Sequence, residues 1–566
     1  MTYKLFPALL LAAGLVASPA LAQDAKPGKV KVKRKAKTET PVTPAMEAAP
    51  AGTGRQAPII TDWNTQYAGT INMNDLRMHL SVLASDKFEG RETGEIGQKM
   101  AAEYIAQQFK AMGLVGPVKD SDNPYLQHFT MERSTWTGTG TLKVGTQSYQ
   151  WMKDFYGYGS SPFQTATTLQ PVFAGYGIEQ EGYSDYAALG DVKGKDLIVL
   201  LGEPNQDGKA LLGKEGQPSK WGMDFRAKSA LATQKGARSV FFVYADAKDS
   251  FSKSAARMAP YLSRPSIRFM DAKKDAKAAT FFVSQAAGAK LLGTTEAGLT
   301  AYMASVNKAN KALPSKFKPA KLTLNAPKKV EPFTTENVLG FLEGTDKKDE
   351  IMVVSAHYDH IGIIGGQVHN GADDDGSGTV SVLEMAQAFT QAKAEGHGPR
   401  RSILFLTVTG EEKGLLGSEY YTDHPVFPLE QTIVDLNIDM VGRTDKDHEG
   451  KADYVYVIGS DKLSSELYQI VETANKQYIQ MDLDYRFNDP GDPNRFYYRS
   501  DHYNFAKHKI PVAFFFNGVH DDYHGAGDEI EKIEFPKMEK RARLVFYSAW
   551  ELANRDNRIV VDSNKP

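Results

Sequence analysis

From residue 337 onward, six apolar runs alternate with stretches of helical period: NVLGFLEG, IMVVSAH, SILFLTVTG, TIVDLNIDM, YVYVIG and PVAFFFN. Runs that stay apolar through successive residues belong to strands covered on both faces. Between two of them, GTVSVLEMAQAFTQAK sets Val382, Met385, Ala386 and Phe389 at i, i+3, i+4 and i+7, a helical stripe. The pattern predicts an α/β fold: a mostly parallel mixed sheet sandwiched by helices.

With 566 residues the chain is too long for one core, so further domains are expected. Residues 59–160 read as the N-terminal part of the sheet domain and 316–566 as its C-terminal part. Helices are expected over 72–90 and 97–114. In the second, Met100, Tyr104, Ile105, Phe109 and Met112 share a side and Gly113 suits a stop. Strands are expected over 125–133 and 141–151. Residues 161–315 have another texture: Gly is frequent, and no histidine falls between His128 and His357. They read as an inserted β-rich domain.

The first 22 residues combine Lys4, an apolar stretch and Ala20-Leu21-Ala22, the pattern of a signal peptide. Residues 23–58, with eight basic and three acidic side chains among Pro and Ala, read as a disordered basic linker. No later stretch has the roughly 18 consecutive apolar residues of a membrane span. The expectation is a protein secreted across the inner membrane, periplasmic or extracellular. No cysteine is present, which excludes disulfides, thiolate metal sites and cysteine nucleophiles. The net charge is −2, and the part outside the linker lacks a basic excess, which argues against nucleic acid as a partner.

In open α/β sheets, sites form beyond the carboxyl ends of the strands. IMVVSAH ends at His357. NGADDDGSG places Asp373, Asp374 and Asp375 just before a helix. SILFLTVTG runs into Glu411 and Glu412, TIVDLNIDM carries Asp439, and PVAFFFN leads to Tyr523 and His524. Each signal alone has a structural explanation, such as helix capping or a solvated surface pair. Five consecutive elements that each bring an acid or an imidazole to one edge do not.

Imidazoles and carboxylates without thiolates suit zinc or another borderline divalent ion. Two ions about 3.5–4 Å apart need a carboxylate that bridges them. Asp359, two residues beyond His357, is placed to hold the imidazole N–H rather than to bind metal; His360 is not assigned as a ligand. Glu412 can bind metal while Glu411 serves as general base toward a metal-acidified water, passing its proton to the leaving amine.

The motifs SAHYDHIG, NGADDDGSGT, TGEEKGLLGS, NIDMVG and DDYHGAGDE, in this order, resemble the co-catalytic dizinc exopeptidase family, which contains secreted bacterial aminopeptidases and glutamate carboxypeptidases. The resemblance covers about 75–135 and 330–555 of this chain. It implies that His357 and Asp439 hold one Zn²⁺, that Glu412 and His524 hold a second, and that Asp374 bridges them. It assigns Glu411 as general base, in agreement with the residues themselves, and Tyr523 as a stabiliser of the tetrahedral oxyanion. FAGYGIEQEGYSDYAALGDVKGKDLIVLL and AKSALATQKGARSVFFV resemble a protease-associated domain. His502 is read as supporting the site, facing the substrate, or packed at the surface.

These implications converge on a secreted metallo-exopeptidase. The leading form is an aminopeptidase whose two-metal-bound hydroxide attacks the first peptide bond of substrates with a free N-terminus. The alternatives are, in order, a glutamate-carboxypeptidase-type exopeptidase, a single-zinc glutaminyl cyclase, and a non-catalytic binding protein. The carboxypeptidase form needs a cation near the site, for which Arg91, Arg443, Arg495 and Arg499 are candidates.

Overall fold

The structure is a computed structural model that describes residues 62–245, 250–270 and 277–563. The expected signal segment and basic linker lie outside the described residues. The chain divides into two compact units, one made of the chain up to His128 together with Glu336–Pro566, the other of Phe129–Thr335.

Among the described residues, seven strands of the first unit lie side by side in one larger sheet: β1 (Lys328–Leu342, from Glu336 onward), β2 (Lys347–His357), β3 (Arg401–Val408), β4 (Thr432–Ile438), β5 (Tyr454–Ile458), β6 (Asp482–Asp484) and β7 (Val512–Phe516). Their order is β1-β3-β2-β4-β7-β5-β6. The central four, β3, β2, β4 and β7, are parallel, while β1 and β5 pair antiparallel with β3 and β7. The expected α/β architecture is therefore the observed one.

Continuous apolar strands are required here because both faces are covered. Along β2, Met352, Val354 and Ala356 enter one apolar cluster while Ile351 and Val353 enter another. In β3, Ile403 and Phe405 face the first cluster and Leu404 and Leu406 the second. Each such fully buried side chain contributes about 1.5–3 kcal/mol of transfer free energy. The helices Gly378–Ala394 and Phe535–Asn554 pack on the first side, and His502–Lys507 meets β4 and β7. The stripe of Val382, Met385, Ala386 and Phe389 is narrower than the buried face of its helix. Val380, Leu383 and Ala388 are buried too, because this helix also meets the helices Met73–Leu83, Ile96–Ala111 and Phe535–Asn554.

The second unit holds a five-stranded sheet, in which Ser239–Val243 lies parallel to Ala279–Val283 and Asp196–Leu200, and a four-stranded antiparallel sheet. It runs wider than 161–315, because Thr141–Val144, Gln147–Gln150 and Leu322–Asn325 pair in the four-stranded sheet. Beside its strands it contains helices, of which Phe225–Gln234 lies in a segment whose sequence reads as a helix followed by a buried strand. Parallel strands need crossovers, supplied here by Phe225–Gln234 and Ser250–Leu262. The stretch 141–151, expected as one strand, is a hairpin that turns at Gly145 with φ of +59°. Among the described residues, no helix is long and apolar enough to cross a membrane.

Candidate metal centre

Because β3, β2, β4 and β7 run parallel, their carboxyl ends share one edge, and the predicted side chains arrive there together. His357 closes β2, Glu411 and Glu412 follow β3, Asp439 follows β4, and Tyr523 and His524 sit in the loop after β7. Asp374 enters from the turn before the helix Gly378–Ala394.

Two groups of donors face each other across Asp374. On one side His357 Nε2 lies 3.3 Å from Asp374 Oδ1, 3.6 Å from Asp439 Oδ1 and 3.9 Å from Glu411 Oε2. On the other, His524 Nε2 lies 3.1 Å from Asp374 Oδ2 and 3.0 Å from Glu412 Oε2. Asp374 thus offers one oxygen to each side. His360, set aside by the sequence reading, belongs to the second group: its Nδ1 is 2.9 Å from Glu412 Oε1 and 3.8 Å from Asp374 Oδ2.

The donor chemistry fits divalent cations. His360 Nδ1, Asp374 Oδ2 and Glu412 Oε1 are buried and make no aligned hydrogen bond, although each has polar neighbours. Close approach without alignment is what ligands aimed at a shared point show, and a buried polar atom without a partner is costly. The site's electrostatics point the same way. Burial opposes a charged His524 imidazole, yet Glu412 and Asp374 push its pKa up to about 11. Burial opposes ionisation of Asp374, yet His357 and His524 hold it well below the usual carboxylate range. Burial, reinforced by Glu412 and Asp439 and opposed by His357, pushes the Glu411 carboxyl well above that range. A site this rich in carboxylate wants positive charge.

The aspartate triplet divides its labour. Asp375 accepts from the main-chain N–H of His357 (3.2 Å), Gly378 (2.9 Å) and Met440 (3.0 Å), tying three site segments together. Glycine is needed at 378, since a Cβ there would lie 2.4 Å from Asp375 Oδ1. Asp373 accepts from Gly442 N–H and Ser377 Oγ–H. Its Oδ2 also faces His520 Nε2 at 3.1 Å, so of the three only Asp374 turns its carboxylate to His357 and His524.

Asp359 acts differently from the expectation. The ring nitrogen Nδ1 of His357 faces the Asp359 main-chain carbonyl at 3.0 Å, whereas the carboxylate Oδ1 stands 3.7 Å away. That carboxylate accepts instead from Thr93 Oγ1 (2.7 Å) and from the Glu411 N–H (3.2 Å). The backbone turns after β2, so the i, i+2 relation places the carbonyl, not the side chain, beside the ring. Tyr523 lines the same pocket as His357, Asp374, Glu411 and Asp439. Burial, with Asp374 and Glu412 nearby, raises its hydroxyl far above the usual value, so it stays a donor.

Ser500, Asn437 and Asp528 support these residues and gave no sequence signal. Ser500 Oγ donates to Asp439 Oδ2 at 2.7 Å, and Asn437 donates to Ser500 at 2.8 Å. Asp528 accepts from the main-chain N–H groups of Asp373 and Asp374. Arg91, fully buried, donates to the carbonyls of Tyr358, Leu83, Asn370 and Gly371. His502 is buried, with its ring stacked on Phe514 at 4.8 Å.

Known proteins share this constellation's setting. The sequence model of Peptidase family M28 matches residues 337–549. Aminopeptidase YwaD of Bacillus subtilis (strain 168) is 29% identical over 233 residues, 40% of this chain and 46% of that protein. A probable leucine aminopeptidase of Arthroderma otae (strain ATCC MYA-4605 / CBS 113480) is 32% identical over 217 residues, 37% of this chain and 55% of that one. The chain spans about half the length of the curated relatives it matches. An aminopeptidase from Aneurinibacillus sp. strain AM-1 shares the fold, with a TM-score of 0.52 and 19% identity over 89% of this chain and 100% of that one. The match to the model of Peptidase family M28 thus spans the segment that holds both donor groups.

Proposed function

We propose that the protein is a zinc-dependent metallo-exopeptidase, an aminopeptidase that hydrolyses the N-terminal peptide bond. The observation that carries this reading is the pair of donor groups sharing Asp374, with Glu411 beside the first. In the proposal His357 and Asp439 would hold one Zn²⁺, Glu412 and His524 would hold a second, and Asp374, with one oxygen toward each group, would serve both. Bound zinc supplies Lewis-acid polarisation of the scissile carbonyl and acidifies the attacking water.

The chain's own residues do the rest. Glu411 accepts the proton of the attacking water and returns it to the leaving amine. Tyr523 donates its hydroxyl to the oxygen on which charge develops. Asp359 holds the Glu411 main chain and the His357 ring at once, so that base and ligand keep their spacing. The carboxylate excess at the site suits a free α-ammonium group. The same reading takes the Phe129–Thr335 unit as a protease-associated insertion.

A mass-spectrometric time course tests it, using zinc-loaded protein with a mixed-sequence peptide and its N-acetylated twin. Stepwise loss from the free N-terminus, with the acetylated twin intact, is the expected result. Shortening of both peptides from the C-terminus would instead identify a carboxypeptidase. No change in either peptide would count against peptidase activity.

A further inference from the structure

We propose that Arg499 forms an anion-binding subsite in the pocket beside the candidate metal centre and binds a carboxylate of the substrate. The inference deepens the peptidase reading and rests on it. Four arginines were candidates for an anion anchor near this edge, and their surroundings differ. Arg91 spends its guanidinium on main-chain carbonyls. Arg443 pairs with Asp522 at 3.0 Å. Arg495 is exposed and rests over the Tyr498 ring at 4.8 Å. Arg499 alone of the four lines the small pocket that contains His357, Asp374, Glu411 and Asp439.

It also lines the adjoining larger pocket of about 290 Å³, which shares Phe496, Val519 and Tyr523 with the small one. Arg499 therefore stands where a substrate held at the metal centre extends outward. Lys446, the other cation of the larger pocket, is paired with Asp521 at 2.5 Å. Among the described residues, no carboxylate lies within ion-pair distance of Arg499. Its Nη2 reaches only the Tyr523 hydroxyl, at 3.4 Å, and its guanidinium lies 4.9 Å from the centre of the Phe496 ring.

In the small pocket the rest of that wall is apolar, formed by Met440, Phe514, Phe516 and Val519. The larger pocket is also lined by Asp445 and Asp447, which are engaged by His448 at 2.8 Å and Arg486 at 2.7 Å. A half-buried guanidinium on an apolar wall has donors that its own chain leaves unused. A planar fork of N–H groups matches a carboxylate better than any other group a peptide carries. Two substrate groups have this chemistry: the side chain of an N-terminal Asp or Glu, and the free C-terminus of a dipeptide.

Binding measured without turnover separates these sources and also separates the subsite from the peptidase reading. Full-length zinc-loaded Glu411→Gln protein is titrated calorimetrically with two matched pairs: Glu-Ala-amide against Gln-Ala-amide, and Ala-Ala against Ala-Ala-amide. The expected result is a preference of about tenfold or more for the charged member of one pair, the order of a charged hydrogen bond. Adding Arg499→Gln removes that preference and leaves the neutral member's affinity within about threefold, while Arg499→Lys keeps part of it. A preference in the first pair identifies the side-chain carboxylate, and one in the second the dipeptide terminus. Absence of preference in both pairs, or a preference that survives Arg499→Gln, overturns the proposal. Wild-type protein that cleaves none of the four peptides refutes the peptidase reading alone; the binding preference still decides the subsite.

Discussion

The main-chain N–H of Glu411 donates to the Asp359 carboxylate at 3.2 Å, while the Asp359 carbonyl faces His357 Nδ1 at 3.0 Å. One residue thus couples Glu411, the proposed base, to His357, a proposed ligand. Replacing its side chain removes the first contact and spares the second. Asp359→Ala is expected to lower kcat/KM about 10–100-fold, the range for residues that orient ligands. Metal content should change less than rate, since the carbonyl remains. Steady-state kinetics together with metal analysis check this, and an unchanged kcat/KM would refute the coupling.

Glu411→Gln keeps the shape of the side chain and removes its capacity to accept a proton. Turnover should fall by about 10²–10⁴-fold, the usual contribution of a positioned base. Metal content should stay at the wild-type value. Because Glu411 Oε2 is 3.9 Å from His357 Nε2, a ligand role is the competing outcome. Loss of one bound ion in this variant would reveal it.

The facing donor groups predict a stoichiometry. Two zinc ions per chain are expected by mass-spectrometric metal analysis, with one left in His524→Ala. Ser500→Ala, which removes the donor to Asp439 Oδ2, should weaken the other ion about tenfold. Chelation should lower the melting temperature as well as activity, because the converging carboxylates lose their counter-charge. Wild-type protein that binds a single ion would overturn the bridged arrangement.

His502 sets a pH dependence of stability. Burial depresses its pKa from 6.5 to about 3, so the folded chain keeps the ring neutral where the unfolded chain protonates it. Between those values the unfolded state binds more protons, and stability falls as pH falls. The contribution is complete above about pH 6.5, and each unit below that costs at most about 1.4 kcal/mol. His502→Phe should flatten this part of the profile, read as urea-unfolding midpoints at pH 7 and pH 5. An equal loss in both proteins would show that another group is responsible.

Much of this architecture was legible because its signals are local. Apolar runs such as IMVVSAH need no partner to be recognised, and the rule that sites lie beyond strand carboxyl ends turned run ends into a donor list. His357, Asp374, Glu411, Glu412, Asp439 and His524 do meet at that edge. His360 stands 2.9 Å from Glu412, a proximity the sequence does not show, because a histidine three residues past His357 gives no hint of which way the chain turns. The hairpin at 141–151 was missed because Gly145 inside an apparent strand reads equally as a bulge.

What the sequence determined by itself is the order of strands and helices, the edge at which the acids and imidazoles emerge, and the absence of thiolate chemistry. Periodicity and residue type act along the chain, so they can be read without knowing what lies across it. Only the tertiary structure decided which oxygen of Asp374 faces which imidazole, that Asp359 works through its carbonyl on one side and its carboxylate on the other, and that Arg499 alone of four arginines lines the pocket. Those relations join residues from separate segments of the chain, as Thr93 joins Asp359 and Ser500 joins Asp439. They depend on backbone turns and packing that bring distant segments within hydrogen-bonding range, which no local pattern encodes.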